Sequence, residues 1–362
     1  MTTDKYIYLL LRLALHYREA DIQHTLQIDW TAVDWPQLYD TAKAQGVSAI
    51  VFDGISAIID RYPEVNVSMP RHLKLRWLSI VDSVEKKYAK QERIARKLAD
   101  ICNDAGIDTV LFKGLGLSRL YPIPNHRECG DIDIYACNGE AQRLDDAIVA
   151  SGAKIKHISQ KHTELFVNGI TIESHRLFIK RYFSKDAVEM NQYLIDSLSG
   201  SKPYFEESRL KVAGVKFNSL FVLYHAANHF KFEGISLRHI IDWCFVVQNA
   251  NGEIADVARM GLADFSAVLC RIGNECLGFD LPHELCCSED DVYNRVLADI
   301  VNSNIGKDEE KVSLFTVLRR KYRRFTSRRW AYSLVNDSYI RGLGHTILAH
   351  IVEPMAIFRG NK

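Results

Sequence analysis

Residues Asp131-Ile132-Asp133-Ile134-Tyr135 alternate polar and apolar at period two, inside a chain whose long flanks repeat apolar residues every three or four positions. Period two belongs to strands and period 3.6 to helices, and a segment can satisfy only one of them. The contrast restricts the chain to a small sheet set between helical regions. Upstream, Lys5 to about Ala105 reads as helical, and the run after Ser68-Met69-Pro70 predicts one extended helix to Ala105. At Gly106 the pattern changes. Asp108 to Lys113 reads as a strand, Gly114 to Leu120 as a short helix, and Asp131 to Tyr135 as a second strand. Glu140 to Ser151 reads as a helix. Glu164 to His175 reads as a hairpin turning at Asn168-Gly169, where positive backbone angles are required. Helical spacing returns beyond Phe178, most clearly at Leu237, Ile240, Ile241, Cys244, Phe245 and Gln248. The expected fold is α+β: an N-terminal helical region at 1–105, a small mixed-sheet core at 106–178 and a C-terminal helical domain at 179–362.

A length of 362 residues suits two to three domains, and 46 Lys plus Arg against 45 Asp plus Glu leaves a formal charge of +1. Neither sign dominates, so any nucleic-acid partner needs a local patch. Arg319, Arg320, Lys321, Arg323 and Arg324, with Arg328 and Arg329 beyond and aromatics between, offer one. A solvated helix pairing with the acids at Asp308 to Glu310 is the plainer reading. Eight cysteines show no zinc-type spacing and read as reduced thiols. The apolar run Tyr6 to Leu15 is broken by Arg12, and no stretch approaches the roughly 18 apolar residues of a membrane span. A cytoplasmic location is expected.

On a strand, Asp131 and Asp133 face the same side, roughly 6.6 to 7 Å apart at Cα. Two unit charges at 4 Å in an effective dielectric of 20 repel by about 4 kcal/mol, so the pair makes sense with a cation beside it. Magnesium takes oxygen ligands and is usually held by one or two carboxylates plus substrate phosphates. Glu173, sharing a face with Thr171 and His175, supplies a third acid, and three carboxylates could hold two metals. Upstream, Lys113-Gly114-Leu115-Gly116 follows a strand and opens a helix, where backbone N–H groups can meet phosphate; this is not a Walker motif, and a lone Gly-x-Gly is usually a plain turn. Lys113 and Arg127 bracket that position and could offset phosphate charge. For Arg127 the alternative is a loop arginine paired with an acid such as Glu128.

The succession Leu111-Phe112-Lys113-Gly114, Tyr121-Pro122, Arg127, Gly130-Asp131-Ile132-Asp133-Ile134 and Ile172-Glu173-Ser174-His175 resembles the nucleotidyltransferase superfamily with the DNA polymerase beta-like palm. More narrowly, it is similar to a bacterial, largely uncharacterised nucleotidyltransferase group, whose helical signature Gly234 to Trp243, after His225 and His229, also resembles. The resemblance spans roughly residues 5 to 335. It implies that Asp131, Asp133 and Glu173 are catalytic and bind magnesium or manganese, and that the helix opened by Gly114 cradles nucleotide phosphates with Gly116. It implies an NTP substrate, an acceptor it does not identify, and transfer of a nucleoside monophosphate by two-metal catalysis. The superfamily commonly has Gly-Ser where this chain has Gly114-Leu115, with Ser118 a turn later as the candidate hydroxyl. Arg238 is implied as a phosphate contact from the helical side; it could equally pair with Asp242 one turn on.

Two other functions fit the residues. One is an inactive relative that binds a nucleotide or a partner protein. The other is a metal phosphohydrolase built on His225, His229 and Asp242, the two histidines lying four apart on a helix as in His-Glu-x-x-His sites, although position 226 is Ala.

Overall fold

In a computed structural model of the chain, the described residues are 3–16, 19–62, 65, 67–179, 185–250, 254, 257–286, 289–302, 319, 322–323, 326–338 and 344. The N-terminal helical periodicity resolves into α1 (Thr3–His16), α2 (Glu19–Leu26), α3 (Trp35–Ala44), α4 (Ser48–Arg61) and α5 (Arg71–Ala105). Local chemistry sets their ends. Asp34 caps α3 by accepting from the Gln37 N–H at 3.0 Å, and Pro36 occupies the first turn. Helix α5 starts after Pro70 and stops at Gly106, which takes the left-handed conformation at φ +68°. The first N–H of α4, that of Ser48, is satisfied from far away by the Glu128 carboxylate at 2.8 Å. Gly54 lets α1 and α4 touch, because a Cβ there would collide with the Leu10 carbonyl.

The α/β segment contributes β1 (Thr109–Phe112), α6 (Gly114–Ser118), β2 (Ile132–Ala136), α7 (Ala141–Ala150), β3 (Lys154–Ile158), β4 (His162–Val167) and β5 (Ile170–His175). After α8 (Lys185–Asp196) come two more strands, β6 (Lys202–Pro203) and β7 (Leu210–Val212). The strands form one mixed sheet in the order β3-β4-β5-β2-β1-β7-β6. Within it β2 runs antiparallel to β1 and parallel to β5, and β7 runs parallel to β1. The hairpin turn is as expected, with Asn168 at φ +50° and Gly169 at φ +82°.

Alternation divides the central strands into two faces. Leu111, Ile132, Ile134, Leu165, Ile170 and Ile172 bury one face against Ile94, Leu98 and Cys102 of α5 and Leu144 and Ile148 of α7. The opposite face carries Asp133, Glu173 and His175. Hydrophobic burial thus anchors the sheet from behind and leaves its charged side to the site.

The structure divides into two compact units. One comprises the described residues up to Asn218 together with those between Asn249 and Glu253, and the other comprises Ser219–Gln248 and the described residues from Ile254 on. The second unit holds most of α9 (Val215–Phe232), with α10 (Leu237–Gln248), α11 (Ala263–Leu277), α12 (Asp290–Asn302) and α13 (Arg329–Leu334). Its core includes Phe230, which packs on Phe265 and Trp330 with ring centroids 5.0 and 5.2 Å away. Arg328 is structural: its guanidinium grips both oxygens of Asp299 at 2.7 and 2.8 Å and donates to the Phe230 carbonyl at 2.6 Å. Arg319 and Arg323 of the basic segment are exposed, while Arg320, Lys321 and Arg324 lie outside the described residues. Every described cysteine is a free thiol. Among the described residues no helix is long and apolar enough to cross a membrane.

The loop before β2 is fastened by an ionic clasp. His126 lies 2.8 Å from Asp53 of α4 through Nδ1 and 2.9 Å from Glu85 of α5 through Nε2. Burial opposes charge on this ring, but hydrogen bonds and attraction from both carboxylates outweigh it and raise the His126 pKa. A histidine with a raised folded pKa contributes stability that is complete below its unfolded pKa, about 6.5, and is lost as pH climbs through the folded value. The melting temperature of wild type relative to His126→Ala is therefore expected to shrink over a window that opens at about pH 6.5 and runs upward. Thermal melts of both proteins across that window check it, and a constant difference contradicts it.

Candidate active site

Lys113 follows β1 in a conformation that residues with a side chain rarely adopt, φ +51° and ψ −145°. Such a backbone costs on the order of 1–3 kcal/mol and survives where its surroundings enforce it. Here the Lys113 carbonyl accepts the Leu117 N–H at 2.7 Å to open α6. Gly114 fits because nothing larger can: a Cβ would stand 2.5 Å from Cys129 Sγ and 3.3 Å from the Asp131 carbonyl. The turn throws the Lys113 side chain over the charged face, and its Nζ lies 2.8 Å from Asp133 Oδ1.

Sheet register gathers the rest. Asp133 on β2 stands beside Glu173 on β5, and Glu173 stands beside Glu164 on β4. Two residues on, His175 shares the face of Glu173 and neighbours Tyr135 and His162. The wholly buried His175 places Nε2 2.9 Å from Asp133 Oδ1 and 3.4 Å from Glu173 Oε2. Its ring packs edge-on against Phe112, which also meets Phe178 and Phe217. His162 extends the row, 3.5 Å from Glu173 and 3.7 Å from Glu164. Asp131, just before β2, is half-buried beside the exposed Gly130, so this end of the row faces solvent.

The charges are strongly coupled. Burial opposes ionisation of Asp133, yet attraction to Lys113 and the hydrogen bond from His175 hold its carboxyl far below the usual range. Burial also opposes charge on Lys113, and Asp133, Asp131 and Glu173 together raise its pKa. Glu173 is lowered, with the His175 hydrogen bond overcoming burial. Burial pushes His162 down to about 4, leaving a neutral ring at pH 7. Asp131 goes the other way, pushed up to about 6 by burial and by the charge of Asp133, with Lys113 offsetting only part. The group therefore retains unbalanced negative charge at its Asp131 end.

Of the residues singled out in the sequence, the structure brings Lys113, Asp131, Asp133 and Glu173 together. Ser118 faces elsewhere: it is buried, donates to the Leu115 carbonyl at 2.7 Å and lies 3.5 Å from the Tyr88 hydroxyl of α5. Gly116 is buried with Val212 and the Leu111 carbonyl 3.3 and 3.4 Å from where a Cβ would stand, which is a packing role. Arg127 is buried, its guanidinium 5.9 Å from the Tyr121 ring. Arg238 belongs to the second unit, on α10. Sequence reading did not place His162 and His175 in the site, although the shared parity of His175 and Glu173 on one strand was a usable signal.

The donor chemistry suits a hard divalent cation. Asp131, Asp133 and Glu173 offer carboxylate oxygens, and a cation would relieve both the burial and the Asp133 charge that lift Asp131. His162, Glu173 and His175 are the group on this face whose ligand atoms lie within 4.8 Å of one another. A family profile described as "uncharacterised nucleotidyltransferase" matches residues 31–278, about two thirds of the chain, and takes in every residue of this site. The chain belongs to this nucleotidyltransferase family. Searches of curated proteins and of solved structures gave no match. In this nucleotidyltransferase the mixed sheet is the platform of the candidate site, with helices before and after it in sequence.

Proposed function

We propose that this chain transfers a nucleoside monophosphate from an NTP to an acceptor, with Asp131, Asp133 and Glu173 holding magnesium or manganese. An acceptor oxygen forms a bond to the α-phosphorus, the bond from that phosphorus to the α–β bridging oxygen breaks, and pyrophosphate leaves with the electron pair. When bound, the divalent ions supply Lewis acidity toward the attacking and departing oxygens. Lys113 places a fixed positive charge beside the acids, where it can attend a phosphate oxygen. His175 positions Asp133 by hydrogen bonding to Oδ1, and Phe112 backs the His175 ring. Arg127 is a candidate phosphate contact.

The observation that carries this reading is the in-register pairing of Asp133 with Glu173 beneath the Lys113 turn, in a chain of this family. Incubating the purified protein with α-phosphate-labelled NTPs, magnesium and a cell extract should label an acceptor and release unlabelled pyrophosphate. Transfer of a γ-label, or no labelling with any NTP, contradicts it.

One observation favours a second reading: Asp133 Oδ1 is already engaged by both Lys113 and His175, so the acids are partly neutralised from within. A relative that binds nucleotide without transferring it would show magnesium-dependent NTP binding by calorimetry and no pyrophosphate release.

A further inference from the structure

The second unit carries a cluster that nucleotidyl transfer does not use. His225 and His229, one turn apart on α9, meet His239 from the first turn of α10. One ring nitrogen from each lies within 4.8 Å of those from the other two, and all three residues are half-buried. The ring centroids are 4.6, 5.0 and 5.9 Å apart.

We propose that these three imidazoles bind a divalent transition ion of the zinc class. Three nitrogens around tetrahedral zinc, each about 2.0–2.1 Å from the metal, stand roughly 3.3 Å apart, so modest ring rotation brings the present spacing to that value. An all-imidazole set selects zinc, copper, nickel or iron over magnesium.

The outer contacts suit ligation. Metal-binding histidines normally offer their other ring nitrogen to a carboxylate, carbonyl or hydroxyl. His229 Nδ1 lies 3.7 Å from the Glu233 carboxylate, and His239 Nδ1 lies 3.0 Å from the Ser236 hydroxyl. The Ser236 N–H also donates to that nitrogen at 3.2 Å, which places the ring proton of neutral His239 on Nε2. Metal uptake moves this proton to Nδ1, where Ser236 Oγ accepts it and the bond from the Ser236 N–H is given up, and frees the Nε2 lone pair. Three protein ligands leave a fourth position for water or an anion.

The test uses the full chain, stripped with chelator, dialysed against zinc and analysed for bound metal after gel filtration. Wild type and a variant carrying both Asp131→Asn and His162→Ala should each retain one zinc per chain, separating this site from the acids and from the His162, Glu173 and His175 group on the sheet. His229→Ala and His239→Ala should lose it, and Glu233→Gln should weaken binding by about 10- to 100-fold. Cobalt in wild-type protein should give visible d–d absorption, a readout independent of how the variants fold. Absence of both bound zinc and cobalt absorption in wild type, or zinc retained at wild-type level in both histidine variants, overturns the proposal.

Discussion

Asp131→Asn is expected to abolish nucleotidyl transfer, by about a thousandfold or more, while making the metal-free protein more stable at neutral pH. The two effects share one cause. Asp131 is pushed up to about 6, first by burial and then by the charge of Asp133, so its ionised form is held against its own electrostatic interest. A folded pKa above the unfolded value of about 3.9 means that charging the group costs stability. That cost grows as pH rises past the unfolded value and is complete above about pH 6. The neutral isostere removes it, a gain of about 1–3 kcal/mol at pH 7.5 that vanishes near pH 4. The backbone of this segment is held separately, by Gln91 and Cys129 donating to the Asp131 carbonyl at 3.4 and 3.0 Å, so the strand should keep its place. Chelator-treated melts at both pH values and labelled-NTP turnover check the pair of effects. Turnover within tenfold of wild type removes Asp131 from the mechanism.

The parts of this fold legible in the sequence were those where one period persists. Ile132 to Tyr135 and the arms of the Asn168-Gly169 hairpin alternate long enough to show their faces, and α5 repeats at helical spacing for 35 residues. Strands β6 and β7, of two and three residues, are too short to show any period, and Pro203 argues against a strand except at a sheet edge, where β6 lies. Strand β3 occupies the other edge with Lys154 and Lys156 exposed, so it lacks the buried side that strand reading relies on. In the site, the acids were visible as residue types at strand spacing. That Asp133 and Glu173 sit side by side depends on β2 and β5 being parallel neighbours, a non-local fact. His175 needs that same fact, because its partner Asp133 is 42 residues away. Lys113 was legible as a cation beside the glycines, but its contact with Asp133 follows from a positive φ that no propensity assigns to lysine. The histidine trio likewise needs the packing of α9 on α10, although His225 and His229 alone showed the helical spacing.

The ion pair made by that turn sets up the second large effect. Asp133 is 1% exposed, so replacing its ammonium partner by an apolar chain of similar length leaves a buried carboxylate with His175 as its nearest compensation. Breaking a buried pair from one side typically costs about 3–5 kcal/mol, and Lys113→Met is expected to lose an amount in that range along with turnover. Methionine relieves none of the backbone strain, so the loss reports the charge. Removing both charges should be far milder. In Lys113→Met with Asp133→Asn, the amide can still accept from His175 and the carboxylate that Lys113 touches is no longer charged, so the double variant should be more stable than Lys113→Met alone by about 2 kcal/mol or more. Urea unfolding of wild type, both single variants and the double variant closes the cycle. Additive losses would mean that Lys113 and Asp133 stabilise the fold independently, and that the lysine acts in the site without being held by the acid.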